Sequence, residues 1–312
     1  MATFLLTVVR HGETRENKEF ILQGQMNTNL SDVGYHQAGL AGKRLMNQLF
    51  THVYTSDLNR VLQTSQVILD KNVLSKSPQV KVDKRLRERG FGEVEGKTVS
   101  ELRALVEKSG QLPQDFKPPG GESPLQVKAR AEAFFHDLCN DLAAEAGIGQ
   151  VGTLQHAAMA DGTAERDCGL EGNVLGEWNI EEGDGKKSGT QASNSTTSGS
   201  ASKNDTEVTI ASDSQPQNVG VSTASDSQTE DSEKYNARVL LVSHGGTIRE
   251  LFRHLIDDLG CKVKSKRFAM QISPNCGISQ FVVQLKRGKR PTLSCQFLHD
   301  KSHLDSALEF QL

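Results

Sequence analysis

Apolar residues occur along the chain in short runs that predict strands. Residues 4–9 and 238–243 are continuous runs of apolar or β-branched side chains, the pattern of strands that are covered on both faces of a sheet. Residues 50–54 lead into another strand. Further strands are predicted near 80–82, 280–285 and 293–298.

Between these strands, apolar residues recur at helical spacing, and polar residues mark where helices begin. Ser31 can cap a helix, and Thr98–Glu101 is a capping box. Ser123–Gln126 is a second capping box with proline at the first helical position. Residues 247–259 are predicted to form a helix after the strand at 238–243. Two apolar helix faces follow from the spacing, one of Ala38, Ala41, Leu45 and Leu49, the other of Val127, Ala131, Phe134, Phe135, Leu138 and Leu142.

The alternation of strands with helices indicates an α/β fold. The expected arrangement is a three-layer α/β/α domain, in which helices cover both faces of a largely parallel central sheet. Ligands of such sheets bind at the carboxyl ends of the strands. Residues that directly follow a strand are therefore the first candidates for a functional site.

Residues 147–234 differ in composition from the rest of the 312-residue chain. They contain one aromatic residue, Trp178, and residues 188–234 hold 19 Ser or Thr among 47 positions. Such a segment buries too little apolar surface to offset the entropy cost of ordering it. We therefore predict a disordered insert at 147–234, within a single domain made of residues 1–146 and 235–312.

Charge divides along the same boundary. The predicted insert has 15 acidic and 5 basic side chains, a net charge of −10, so the rest of the chain carries +7 within the total of −3. A basic body suits a substrate with several phosphates. A nucleic-acid partner is not expected, because the chain shows neither a stripe of basic residues interleaved with aromatics nor a nucleic-acid-binding motif.

Cysteine usage and hydropathy bear on the compartment. The five cysteines are odd in number and form no C-x-x-C pair, which favours free thiols in a reducing compartment. The apolar run at 4–9 is too short for the core of a signal peptide, and no run approaches the roughly 20 apolar residues that span a bilayer. We expect a cytoplasmic protein without an integral membrane segment.

Basic groups follow three of the predicted strands. The strand at 4–9 ends in Arg10-His11-Gly12, and the strand at 238–243 ends in His244 followed by Gly245. Arg60 lies in the first turn of a helix that Ser56 or Asp57 is expected to cap. If these strands are neighbours, their basic groups meet at one sheet edge, where a helix start also favours negative charge. The pattern predicts a site for an anion and a nucleophile.

Short motifs with characteristic residues recur in a fixed order along the chain. They are Arg10-His11-Gly12-Glu13-Thr14 with Asn17, Gln23-Gly24, Thr55-Ser56-Asp57-Leu58 with Arg60 and Gln63-Thr64, Glu88-Arg89-Gly90-Phe91-Gly92 with Glu95-Gly96, Gly120-Gly121-Glu122-Ser123, and Ser243-His244-Gly245. This ordered set resembles the histidine phosphatase superfamily of phosphoglycerate mutases and fructose-2,6-bisphosphatases. The resemblance covers residues 1–146 and 235–312, and it implies a phosphoglycerate mutase-like fold.

Hydrolysis of a phosphate monoester is very slow without a catalyst, and an imidazole offers a covalent route. Arg10 disfavours protonation of the neighbouring His11, which keeps that ring nucleophilic. The resemblance implies a phosphohistidine at His11. It also implies that Arg10, Arg60 and His244 hold the oxygens of the transferred phosphoryl group.

One carboxyl group must protonate the leaving oxygen and later accept a proton from water. Spacing alone does not choose among Glu13, Glu88, Glu93 and Glu95, whereas the resemblance selects Glu88. Glu13 is expected to orient the basic cluster instead. The further residues expected to bind substrate are Asn17, Gln23, Gly24, Arg89 and Gly245.

No metal or other cofactor is expected, because the histidines and cysteines show no ligand spacing such as H-E-x-x-H. The expected substrate is a phosphorylated sugar. The resemblance implies a fructose-2,6-bisphosphatase that restrains glycolysis and favours the pentose phosphate pathway, with nuclear and conditional mitochondrial association besides the cytoplasm. Two alternatives stay open: a broader phosphatase or mutase acting on phosphoglycerates and related phosphoesters, and a signalling or interaction protein working through its insert, with unknown protein partners.

Overall fold

The central sheet brings the two predicted histidine-bearing strands next to each other. The computed structural model describes residues 1–75, 78–113, 115–152 and 234–305. Its strands are β1 (Ala2–Arg10), β2 (His52–Thr55), β3 (Val80–Val82), β4 (Ala237–Ser243), β5 (Ile278–Leu285) and β6 (Thr292–Asp300). Within the described ranges they form one sheet in the order β3-β2-β4-β1-β5-β6.

Parallel pairing dominates the half of the sheet that carries the predicted site. The pairs β1 with β4, β4 with β2, and β2 with β3 are all parallel. β5 runs antiparallel to β1, and β6 runs antiparallel to β5, since a short hairpin joins β5 to β6. The predicted α/β fold with a largely parallel sheet is confirmed, and the antiparallel pairings are confined to one side.

Helices cover both faces of the sheet. The α-helices of the described ranges are α1 (Arg15–Lys18), α2 (Asp32–Leu45), α3 (Asn59–Lys71), α4 (Val99–Ser109), α5 (Pro124–Glu145), α6 (Gly245–Arg253), α7 (Lys266–Ala269) and α8 (Ser302–Asp305). Val239 and Leu241 of β4 pack with α5 and α6, while Leu240 and Val242 pack with α2 and α3 on the other face. Successive side chains of a strand point to opposite faces, so one strand contributes to both layers of core.

The predicted starts of three helices are confirmed. Ser31, Thr98 and Ser123 each accept a hydrogen bond from the backbone N–H three residues later, and the last two form complete capping boxes. The helix after β4 begins at Gly245, two residues earlier than predicted. It continues from α6 into a π-helical segment, His254–Asp258, that the sequence pattern did not distinguish from a regular helix.

The predicted apolar faces are largely correct. All six residues of the predicted face on α5 are buried, and so are Ala38, Ala41 and Leu45 on α2. Leu49 lies beyond the end of α2 and is half-buried. A third, smaller cluster packs apart from the two main layers and contains Leu22, Phe91, Val94, Leu102, Val106 and Phe116.

The folded body extends past the predicted start of the insert. Val151 is buried in the main core and forms a bridge with Arg287, and Gly152 N–H donates to Lys289 O. Residues 147–152 therefore belong to the domain, because their backbone and side chains are held by it. The rest of the predicted insert, residues 153–233, lies outside the described residues. In the described ranges, no helix is both long and apolar enough to cross a membrane.

Candidate active site

The ends of β1 and β4 place His11 and His244 side by side. Arg10 is in register with Ser243, and His11 N–H donates to Ser243 O over 3.0 Å. The rings of His11 and His244 are 5.3 Å apart between centroids and inclined by 61°. The predicted meeting of the two strand-end histidines is thus confirmed, at the carboxyl edge of the parallel part of the sheet.

His11 is buried, and its hydrogen bond determines which ring nitrogen carries the proton. Nδ1 lies 2.7 Å from Gly12 O. Because a carbonyl oxygen can only accept, Nδ1 is the protonated nitrogen and Nε2 retains a lone pair. Burial, followed by the charges of Arg60 and Arg10, holds the pKa of His11 well below its usual value. The ring is therefore a neutral imidazole with a nucleophilic Nε2 at neutral pH.

His244 is fully buried and pairs with a serine hydroxyl. Its Nε2 lies 2.8 Å from Ser56 Oγ, and Ser56 Oγ also accepts weakly from Leu58 N–H at 3.4 Å. When Ser56 donates its proton to Nε2, the ring proton is on Nδ1, which has no partner among the described residues. Burial, and then the charge of Arg60, holds the pKa of His244 well below its usual value. His244 is therefore a neutral imidazole next to His11, and in this tautomer its Nδ1–H is an available donor.

Arg10 and Arg60 supply the positive charge of the site. Arg10 Nη1 donates to Ser273 O, while the two terminal nitrogens of Arg60 donate to Met26 O and Gly24 O, each over 2.8 Å. The Nε atoms of both arginines are buried and have no partner within the described ranges. Burial lowers the pKa of Arg60 to about 10, so its guanidinium stays charged at neutral pH. Buried donors without partners cost free energy, and an anion that accepts from them would remove this cost.

Glu88 reaches the start of α6 from the segment after β3. Its Oε2 accepts from Gly246 N–H over 3.0 Å, and its Oε1 accepts from Arg89 N–H over 2.8 Å. A Cβ on Gly246 would collide with the carboxylate, so only glycine permits this approach. This contact places the Glu88 carboxylate against a residue two positions after His244. Burial lowers the pKa of Arg10 and of Arg60, and the negative charge of Glu88 partly opposes that effect at both arginines.

The backbone around Glu88 is fixed from three sides. Arg130 of α5 donates to the carbonyls of Arg85, Arg87 and Glu88 over 2.6 to 3.0 Å. It also forms an ion pair with Glu122 at 2.9 Å. The hydroxyls of Ser243 and Thr247 donate to Leu86 O and Arg87 O, respectively. These contacts hold the segment against both β4 and α6.

Three of the residues predicted to bind substrate support the loop around the site. Asn17 Oδ1 lies 3.3 Å from Asn275 Nδ2, which also donates to His11 O. Gln23 Oε1 accepts from the hydroxyl of Thr28, which in turn lies 3.2 Å from Arg60 Nη1. Gly24 contributes its carbonyl to Arg60, as described above. Substrate contacts by these three residues stay a prediction.

Gly245 lies next to Arg10, whereas the guanidinium of Arg89 contacts two loops. A Cβ on Gly245 would stand 3.3 Å from Arg10 Nε, so this glycine keeps that donor open. Arg89 is buried and donates to Glu122 O and Phe116 O over 2.8 and 2.6 Å. In the structure its guanidinium therefore ties two loops together, and a role of Arg89 in binding substrate stays a prediction.

Two local expectations are wrong. The helix containing Arg60 is not capped by Ser56 or Asp57, because the N-cap is Leu58 without a side-chain bond. Ser56 faces His244, and Asp57 forms a bidentate pair with Arg87. Arg60 nevertheless lies in the first turn, as predicted. Within the described part of the chain, the Glu13 carboxylate shows no hydrogen bond or ion pair with the basic cluster, and its Oε1 accepts from the hydroxyl of Ser31 at the start of α2.

Two supporting residues were missed in the sequence. Asn275 and Arg130 act across more than 40 positions of sequence, and neither belongs to a local pattern that distinguishes it from an ordinary loop or surface residue. Ser56 was singled out in the sequence, but as a helix cap and not as the partner of His244. Only the strand order and the helix packing bring them to the site.

A buried neutral imidazole with an unprotonated ring nitrogen, buried cationic donors and a carboxyl group lie together at the carboxyl edge of a parallel sheet, an arrangement suited to phosphoryl transfer. The profile of the histidine phosphatase superfamily (branch 1) matches residues 6–161. The chain belongs to this superfamily.

Curated relatives match over the full length. The chain is 35% identical to fructose-2,6-bisphosphatase TIGAR of Mus musculus over 100% of both chains. It is 36% identical to the Bos taurus protein of the same name over 97% of both. A phosphoglycerate mutase structure from Bacillus anthracis shares the fold, with a TM-score of 0.58, 17% identity, and coverage of 98% of this chain and 97% of that one. Family and relatives support phosphatase activity for this chain.

Proposed function

We propose that the chain hydrolyses the 2-phosphate of fructose-2,6-bisphosphate through a phosphohistidine at His11. The choice of substrate is supported by the full-length similarity to proteins named fructose-2,6-bisphosphatase. One observation carries the chemistry: three buried polar atoms without partners in the described chain, Arg10 Nε, Arg60 Nε and His244 Nδ1, belong to the groups around His11. A phosphoryl group would satisfy all three.

In the first step, the Nε2 lone pair of His11 attacks phosphorus, and the bond from phosphorus to the sugar oxygen breaks. Arg10, Arg60 and His244 donate to the equatorial oxygens as negative charge spreads over them. Glu88, in its protonated form, gives its proton to the departing oxygen. The products of this step are the sugar alcohol, a phosphohistidine and the Glu88 carboxylate.

In the second step, water attacks the phosphohistidine. Glu88 accepts a proton from this water, the bond between phosphorus and Nε2 breaks, and inorganic phosphate leaves. His11 is then neutral again and Glu88 is protonated, so the cycle closes. The bond from Nδ1–H to Gly12 O holds the ring in one tautomer throughout both steps.

Phosphate release from a panel of substrates tests the proposed activity. The panel contains fructose-2,6-bisphosphate, fructose-1,6-bisphosphate, 2,3-bisphosphoglycerate and 3-phosphoglycerate. We expect the highest kcat/KM for fructose-2,6-bisphosphate, and we expect His11→Ala to lose both turnover and acid-labile phosphate on the protein. Higher kcat/KM for a phosphoglycerate, or formation of a mutase product, would favour the broader alternative. A phosphoenzyme that still forms in His11→Ala would show that His11 is not the nucleophile.

The proposed activity has a metabolic consequence. Removal of fructose-2,6-bisphosphate would restrain glycolysis and direct glucose 6-phosphate into the pentose phosphate pathway. We propose a cytoplasmic location, with nuclear and conditional mitochondrial association, supported by the resemblance and by the free thiols of Cys139, Cys261, Cys276 and Cys295. Imaging of the tagged protein, before and after oxidative stress, checks the location.

A further inference from the structure

Two histidines and two carboxylates meet between α5 and the π-helical segment after α6. Glu132 and His136 are four residues apart on α5, and His254 and Asp258 are four residues apart on the π-helical segment. None of the four belongs to the active site described above. π-Helical turns of this kind occur frequently at functional positions.

The side chains are close enough to share one ion. His136 Nε2 lies 3.7 Å from Glu132 Oε1, and His254 Nδ1 lies 3.9 Å from Glu132 Oε2. One ligand atom from each of Glu132, His136 and His254 lies within 4.8 Å of the others. Ligand atoms around tetrahedral Zn²⁺ are about 3.3 Å apart, so each pair would have to approach by about 1.5 Å at most. Small rotations of the side chains cover that distance.

His254 Nδ1 faces two carboxylates. Its ring is fully buried, and Nδ1 lies 2.8 Å from Asp258 Oδ2 and 3.9 Å from Glu132 Oε2. Nδ1 is therefore the ring nitrogen within reach of an ion that Glu132 holds. The ion would replace the proton of Nδ1 and bind the tautomer whose proton is on Nε2.

The charge of the cluster suits a divalent cation. Lys128 Nζ lies 2.7 Å from Asp258 Oδ2, so the charge of Asp258 already has a partner. The Glu132 carboxylate lies between the two imidazoles and is buried. Two imidazoles and one carboxylate form a donor set that Zn²⁺ uses, whereas Ca²⁺ and Mg²⁺ prefer oxygen ligands alone.

We propose that Glu132, His136 and His254 bind a divalent transition-metal ion of the Zn²⁺ type, with Asp258 beside Nδ1 of His254. The ion would join α5 to the segment after α6 and stabilise their packing. This departs from the expectation that no metal is bound. The sequence could not reveal the site, because the ligands of α5 and His254 are more than 100 positions apart.

Metal content of the full chain, without an affinity tag, tests the proposal. Chelator-stripped protein is dialysed against Zn²⁺, and bound zinc is measured by mass spectrometry. We expect wild type to bind one ion more than His136→Gln and Glu132→Gln. His36→Gln, which removes an exposed histidine of α2, is the matched control and should bind as much as wild type. His11→Gln should also keep the ion, since the active site is separate.

Thermal melts give a second measure. Zn²⁺ at 100 times its dissociation constant should raise the Tm of wild type and His36→Gln by about 5 to 10 °C. It should raise the Tm of His136→Gln and Glu132→Gln by far less. Equal zinc content and equal Tm shifts in wild type and both ligand variants would overturn the proposal.

A measurement on wild type alone avoids reliance on folding of the variants. Diethylpyrocarbonate modifies accessible imidazoles, and peptide mass spectrometry resolves each site. Zn²⁺ should protect His136, which is partly exposed, and leave His36 unprotected. Unchanged modification of His136 at saturating Zn²⁺ would also contradict the site.

Discussion

His11 and His244 show how two identical side chains acquire different hydrogen-bonding roles. Both are buried beside arginines and stay neutral, but His11 Nδ1–H donates to Gly12 O while His244 Nε2 pairs with the hydroxyl of Ser56. His11 therefore offers the lone pair of Nε2, and His244 offers Nδ1–H in the tautomer that accepts from Ser56. The sequence predicted both histidines, since each ends a strand. It could not predict the tautomers, because Ser56 reaches His244 only through the pairing of β2 with β4.

Glu88→Gln should slow the chemical steps without removing the phosphate site. An amide can neither give nor take the proton, so kcat should fall by roughly 10² to 10⁴-fold while KM changes little. Steady-state phosphate release and rapid-quench detection of the phosphoenzyme measure both effects. Glu93→Gln is the matched control, because Glu93 is an exposed carboxylate of the same loop. Full turnover in Glu88→Gln would mean that another group transfers the proton.

The lowered pKa of His11 makes stability depend on pH. An unfolded chain protonates this histidine near pH 6.5, whereas the folded protein does so only well below that. The contribution of His11 to the free energy of unfolding is therefore fully present above pH 6.5. It is lost as pH decreases, by at most about 1.4 kcal/mol per pH unit for each such histidine. Denaturant unfolding of wild type and His11→Gln between pH 7 and pH 5 measures the slope. We expect a shallower slope in the variant; identical slopes would show that His11 titrates normally.

At the scale of elements, Arg130 connects the packing of α5 to the position of Glu88. Its guanidinium donates to the carbonyl of Glu88 and to carbonyls of the residues before it, and it is itself held by Glu122. A lysine is a point charge and cannot match this planar fork of donors. Arg130 is thus a positioning residue for Glu88, although it need not touch substrate.

Arg130→Lys should lower kcat by about 10-fold or more and leave KM within about two-fold, because orientation of the acid, not binding, is impaired. Arg253→Lys, which changes an arginine paired with Glu250 at the other end of α6, is the control. Steady-state kinetics and melts of both variants separate the effects. If Arg130→Lys loses stability but keeps kcat, the arginine is only structural.

Elements that a short sequence pattern marks were predictable, and features that depend on long-range tertiary contacts were not. Capping boxes at Thr98 and Ser123 and the apolar face of α5 follow from short spacings, and all three are confirmed. The N-cap at Leu58 has no local signature, because Ser56 is used by His244 instead. The π-helical segment His254–Asp258 likewise has no local signature, since its sequence has ordinary helical spacing.

At the scale of the molecule, charge separates into a basic body and an acidic segment. Residues 147–234 carry −10, and the rest of the chain carries +7. The body holds its own ends without the acidic segment: Gly152 N–H donates to Lys289 O, and Asn236 N–H donates to Thr3 O. Catalysis and folding should therefore depend on the body, while the acidic segment acts on substrate capture through its charge.

Replacement of residues 153–233 by a short Gly/Ser linker tests this division. The deletion removes 15 acidic and 4 basic side chains. We expect kcat and cooperative melting to be nearly unchanged, and kcat/KM for an anionic substrate to rise at low salt. The gain should fade near physiological ionic strength, where the Debye length is about 8 Å. A full-length variant with the 15 acidic residues changed to Asn or Gln separates charge from length and should show the same gain. Loss of cooperative melting in the deletion would mean that residues 153–233 contribute to the folded core, and the single-domain organisation would then be wrong.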